Sequence, residues 1–136
     1  MSIPPSILCI GGHDPTGGAG IQADIETVNA LGGRAVTLVT ALTAQDSHDI
    51  DSIQTVPVAF FETQLDRLLG DIPADAIKIG MIGATALIPV LQRLLYGFDG
   101  PVVIGPVLAA GGGFDLDGSG LSESMLTHLV PLTTLL

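Results

Sequence analysis

The chain has 136 residues, a net charge of −10, 47% hydrophobic residues and only 13% charged ones. That composition excludes a disordered chain, which needs low hydrophobicity and high charge, and its length points to one domain. Only Arg34, Arg67, Lys78 and Arg93 oppose 14 acids, so nucleic acid and anionic membrane are poor partners, both being held largely by Lys and Arg.

In chain order, "SILCIGG" (6–12) is a short apolar run stopped by glycines and reads as a buried strand. From Gly18 the period becomes helical, with Ile21, Ile25, Val28 and Leu31 on one face and Gly32-Gly33 as a stop. "AVTLVTAL" (35–42) is a second strand, rich in β-branched residues. A polar connection over 43–51 leads to a short extended piece over 52–57 and a helix over 58–69, with Phe61, Leu65, Leu68 and Leu69 on one side. "AIKIGMIG" (76–83) is a strand and turn. A helix within 84–96 either starts near Ile88, with Pro89 in its first turn, or is kinked there. "PVVIG" (101–105) is a strand, 106–120 a long loop and 121–130 a helix; "PLTTLL" (131–136) starts one more apolar strand.

Strands alternating with helices indicate an α/β fold with a parallel sheet covered on both faces. Ligands in such sheets bind beyond the C-terminal strand ends. Those ends carry Gly12, His13 and Asp14; Thr43, Gln45 and Asp46; Met81; and Pro106 with Val107. The set suits a flat polar heterocycle better than a sugar phosphate.

The stretch "GGHDPTGGAGIQAD" (11–24) holds more glycines and polar groups than a packing loop needs. Gly18-Ala19-Gly20-Ile21-Gln22-Ala23 fits the loose dinucleotide fingerprint, but five residues separate it from Gly12, and Thr40-Ala41 stand where an acid belongs at the end of the second strand. A Walker A sequence is absent, and Asp115-Leu116-Asp117-Gly118 lacks the other acids of a calcium loop. Cys9, His13 and His48 do not have zinc spacing. His13 reads most simply as a hydrogen-bonding loop residue, and Asp24 as a complement to the helix dipole. Gln45 offers both a donor and an acceptor, which suits an aminopyrimidine edge, or it is a solvated loop residue. The lone Cys9 in an apolar run reads as a small buried hydrophobe in a reducing, cytoplasmic setting. The N-terminus lacks the pattern of a signal peptide, and no apolar run reaches about 18 residues.

Taken together, "GGHDPTGGAGIQAD", "LVTALTAQ", "IKIGMIG" and "GPVLAAGGG" resemble, in order, the motifs of the hydroxymethylpyrimidine/phosphomethylpyrimidine kinases of thiamin biosynthesis, members of the ribokinase-like superfamily. The resemblance implies a doubly wound, mostly parallel sheet with helices on both faces, truncated after the fifth strand region. Residues 1–136 would then be a single, incomplete ribokinase-like domain, the substrate-binding half. The activity implied is phosphorylation of 4-amino-5-hydroxymethyl-2-methylpyrimidine, and then of its monophosphate, with ATP and Mg2+. Gly12, Asp24, Gln45, Met81 and Val107 would form the pyrimidine pocket, with Gln45 reading the polar edge of the ring and Met81 and Val107 packing beside it.

Two positions depart from the family pattern. Gly105 stands where an acid serving phosphate and metal is usual, and a lysine often found shortly afterwards is absent from "AAGGG". The catalytic base, the glycine-rich anion hole and the nucleotide site are expected in a C-terminal half, so no catalytic or metal-binding residue is assigned here. ATP and Mg2+ are not expected to bind well to this chain alone, and the chain alone is expected to be inactive. Two other readings stand beside this one: a non-catalytic pyrimidine-binding fragment or remnant of an interrupted gene, and a pyridoxal/pyridoxine kinase-like protein. The hydrophobic excess implies an exposed apolar face, and hence a homodimer or a complementing chain.

Overall fold

The structure, a computed structural model, describes residues 2–105 and 120–136. Five strands form one sheet: β1 (Ser6–His13), β2 (Arg34–Gln45), β3 (Ile50–Thr55), β4 (Ala76–Ile79) and β5 (Val102–Ile104). Their order is β3-β2-β1-β4-β5. All neighbours are parallel except β2 and β3, which form an antiparallel hairpin. The sheet is therefore mostly parallel, as expected.

Four helices cover it: α1 (Gly20–Ala30), α2 (Val58–Asp71), α3 (Ile88–Tyr96) and α4 (Leu121–His128). Strand alternation sorts the two faces. Leu8, Ile10, Val36, Leu38, Ile77 and Ile79 point to one face, where a single buried cluster joins them to Phe61 and Leu65 of α2, Leu91 and Leu95 of α3, and Met125 of α4. Cys9 and Lys78 point to the other face, and α1 lies there, bridged to β4 by Asp24 and Lys78. Each strand of the sheet's centre is thus covered on both sides, which is why it is apolar nearly throughout.

Several local expectations are corrected. The second strand runs three residues further than its β-branched stretch, because pairing with β3 gives residues 41–45 a second ladder. The polar connection shrinks to 46–49, where the Asp46 carboxylate accepts hydrogen bonds from the backbone N–H groups of His48 (2.8 Å) and Asp49 (2.9 Å). These bonds hold Asp46 below its usual pKa. Helix α1 starts at Gly20 rather than Gly18, and Leu31 is its C-cap, 84% exposed, instead of part of its apolar face. One alternative is borne out: a short 3-10 turn over Thr85–Leu87 leads into α3, which starts at Ile88 with Pro89 in its first turn. Residues 131–136 do not form a full strand. A 3-10 turn occupies Val130–Leu132, and only Leu135 makes an isolated parallel bridge, to Val103. The predicted loop over 106–120 lies, apart from Gly120, outside the described residues.

Candidate functional site

At the C-terminal ends of the parallel strands lies a cleft of about 90 Å3. Three chain segments build its floor and walls, each held by a specific contact. β1 delivers Gly11, Gly12 and His13. A register shift in the β1–β2 pairing passes over Thr40, with Gly11 opposite Val39 and Gly12 opposite Ala41. Alternation breaks there: Thr40 and Ala41 are both buried. Beyond the break Thr43 and Gln45 line the cleft, and Leu42 and Ala44 are exposed. A bulge that re-aims side chains beside a site is a common use of this irregularity.

Two threonines of β2 then fix the neighbouring loops. The fully buried Thr40 hydroxyl donates to the Met81 carbonyl at 2.7 Å. The Thr43 hydroxyl lies 2.8 Å from the His13 carbonyl and 2.7 Å from the Gln45 side-chain amide. Met81 packs over Gly12 so closely that a Cβ at residue 12 would come within 2.9 Å of its sulfur.

The glycine-rich junction has an equally direct cause. Gly20 opens α1 with φ +64°, and a Cβ there would collide with the Gly12 carbonyl oxygen. Only glycine allows the helix start to rest on the end of β1. Before it, the Asp14 carboxylate, 7% exposed, accepts hydrogen bonds from the Thr16 backbone N–H and hydroxyl, both at 2.8 Å. This closes a turn that brings Ala19 and Gly20 to the cleft.

Asp24 has a different partner from the one its helical position suggests. It lies beyond the first turn of α1, and its carboxylate takes Lys78 Nζ at 2.9 and 3.0 Å. The pair is partly buried, with side chains 16% and 34% exposed. Lys78 is a cation within a strand of the sheet, and such a charge needs a counter-charge. Its position in "AIKI" was the signal available in the sequence for this pairing. Beside the pair, burial pushes the Cys9 thiol up to about 11; the negative Asp24 adds to the rise and Lys78 opposes it.

Of the five residues expected in a pocket, Gly12, Asp24, Gln45 and Met81 all line this one cleft. Val107 lies outside the described residues. Lys78, Asp14 and Gly20 also line it, and Thr43 does so without having been given a role from sequence. His13 also lines it, whereas His48 and His128 are exposed and do not. Among the described residues no cluster of three His, Cys, Asp or Glu side chains could hold a metal ion. Gly105 follows β5, and a Cβ there would meet nothing within 4 Å among the described residues.

Comparison with known proteins decides the family. The family described as phosphomethylpyrimidine kinase matches residues 14–136.

This chain belongs to the phosphomethylpyrimidine kinase family.

A hydroxymethylpyrimidine/phosphomethylpyrimidine kinase of Streptomyces coelicolor is 38% identical over 131 residues, covering 96% of this chain and 49% of that protein. The thiamine biosynthesis multifunctional protein ThiED of Corynebacterium glutamicum is 42% identical over 89% of this chain and 16% of its own length. The crystal structure of a Clostridium difficile phosphomethylpyrimidine kinase superposes with a TM-score of 0.86 at 31% identity, covering 95% of this chain and 56% of that one. A Staphylococcus aureus pyridoxal kinase in complex with AMP-PCP and pyridoxal gives a TM-score of 0.84 at 28% identity, over 98% of this chain and 48% of its own. The chain thus spans half or less of the curated phosphomethylpyrimidine kinases it matches here. The ribokinase-like fold expected from the motifs is the fold of these kinases.

Proposed function

We propose that this chain forms the ring-binding side of a kinase that phosphorylates 4-amino-5-hydroxymethyl-2-methylpyrimidine and its monophosphate in thiamin diphosphate biosynthesis. The observation that carries this reading is the convergence of Gly12, Asp24, Gln45 and Met81 on one cleft at the strand ends. Glycine at 12 leaves room for a flat ring to approach the backbone. The Gln45 amide meets the polar edge of the ring, and Met81 lies against its face, with Val107 as the expected apolar partner. Asp24, neutralised by Lys78, closes the wall beneath the ring.

The residues described here do not fit a nucleoside triphosphate. The cleft's one permanent cation, Lys78, is engaged by Asp24, and the cleft volume of about 90 Å3 suits a single small ring. No step of phosphoryl transfer is therefore assigned to them. Such transfer depends on positioning and on stabilising charge around the phosphates and metal; the base, anion hole and nucleotide site are expected in the part of the relatives that this chain does not span, and glycine stands at 105 where an acid is usual.

Isothermal titration tests the reading: the chain binds hydroxymethylpyrimidine and does not bind Mg-ATP. Failure to bind the pyrimidine contradicts it. A second reading, a pyridoxal-binding kinase, is favoured by the close superposition on a pyridoxal complex. Competition between the two rings for the same cleft separates them, since the pyrimidine reading requires pyridoxal to be the weaker ligand.

A further inference from the structure

We infer that Thr43 is a positioning residue: its hydroxyl fixes which end of the Gln45 side-chain amide faces the cleft, and so makes the cleft selective for a ring edge that carries an amino group. This inference rests on the pyrimidine reading above.

The argument is a proton count. Thr43 Oγ1 has two short contacts, 2.8 Å to the His13 carbonyl oxygen and 2.7 Å to Oε1 of Gln45. A hydroxyl carries one proton and can donate once. With Oε1 turned toward Thr43, two acceptors compete for that proton, and one short contact sets two oxygens together without a hydrogen between them. The His13 carbonyl belongs to β1 and cannot turn. The Gln45 amide can, since a half-turn about its last side-chain bond exchanges oxygen and nitrogen with almost no change in shape.

After that half-turn both contacts are hydrogen bonds: Thr43 donates to His13, and Gln45 Nε2 donates to Thr43. The amide oxygen is then the end turned away from Thr43, on a side chain that lines the cleft. An acceptor there takes an N–H from an exocyclic amine and gives nothing to a ring edge bearing only C–H. Thr43 and Gln45 are two residues apart on β2, beyond the register shift that puts both on the cleft side. The constraint is therefore built into the strand.

The experiment has two arms. In the first, the wild-type chain, Thr43→Val and Thr43→Ser are each titrated with hydroxymethylpyrimidine and with its analogue lacking the 4-amino group. The wild type and Thr43→Ser favour the amino ring by about tenfold, one hydrogen bond's worth, and Thr43→Val favours it by less than about threefold. Retained discrimination in Thr43→Val overturns the inference. In the second arm, NMR of the unliganded chain reads the amide directly. The Gln45 side-chain NH2 protons show cross-peaks to the Thr43 Hβ and methyl protons in the wild type, and to the Hβ protons of residue 43 in Thr43→Ser. Their absence in the wild type overturns the inference even if the ring-binding arm succeeds. If the wild type binds neither ring, the pyrimidine reading fails, and the NMR arm still decides the orientation of Gln45.

Discussion

Gly20 and Gly32 both adopt positive φ, +64° and +86°, but only Gly20 is also crowded, by the backbone of Gly12, whereas Gly32 has open space around it. Alanine at either position takes on the strain of a left-handed backbone, about 1–2 kcal/mol. Gly20→Ala adds a collision that the helix start can relieve only by leaving the end of β1. Urea denaturation should therefore show Gly32→Ala losing about 1 kcal/mol and Gly20→Ala about 3 kcal/mol or more. Equal losses would mean that the close approach has no energetic weight. The unusual density of glycine in 11–24 was plain in the sequence; that Gly20 is pinned against backbone, whereas Gly17, also at positive φ, meets only the flexible Gln22 side chain, was not, because the Gly20 collision is with a residue eight positions earlier.

Cys9 gives a pH-dependent prediction at the same scale. Its folded pKa, about 11, lies above the ordinary value of 9.0. The folded state therefore holds the thiol proton more tightly than the unfolded chain does. Stability is unaffected by this group below about pH 9 and falls as pH rises from there through about 11. Chemical denaturation across that window should show the decline, and Cys9→Ala should lessen it. An identical pH profile in the two proteins would contradict the burial argument.

Between elements, the Asp24–Lys78 pair ties α1 to β4 across the sheet face opposite the main core. Truncating one partner leaves a partly buried charge without its counter-charge. Asp24→Ala should cost about 1–3 kcal/mol by thermal or urea melts, and adding Lys78→Met should recover much of the loss, because the orphaned cation is then gone. A double variant no better than Asp24→Ala would show that the pair is only incidental. The placement of most strands and helices was legible, since apolar runs alternate with helical periodicity; the strand order was not read from the sequence. The antiparallel β3 was harder to read. Its residues are mostly exposed, so no buried pattern marked it, and its partner stretch on β2 looked like loop because it is polar. The last residues misled for the opposite reason: "PLTTLL" is apolar enough for a strand, yet a 3-10 turn takes its first part and Leu135 and Leu136 remain 63% and 59% exposed.

For the whole molecule, the expected apolar face is tested at the edge of the sheet, where Val103 is 36% exposed and is bridged to the exposed Leu135. Helix α1 packs on β1 and β2 and leaves this part of its sheet face open. Sedimentation velocity at micromolar concentration should therefore show association, and Val103→Lys with Leu135→Lys should shift the chain toward monomer. A wild-type chain that stays monomeric would remove the expectation of a homodimer. The candidate cleft was legible to the extent that its residues lie at strand ends, where an α/β sheet binds ligands. What was missed is the contact of Thr43 with His13 and of Lys78 with Asp24, both made between distant segments, which chain spacing does not record.

The measurement that tests the account most directly is a 1H–15N NMR titration of the chain with 4-amino-5-hydroxymethyl-2-methylpyrimidine. Saturable shifts in the amides of Gly11 to Asp14, in the Gln45 side chain and in Met81 are the predicted result. An unchanged spectrum, or shifts confined to residues away from that cleft, would contradict the claim that these strand ends form a pyrimidine site.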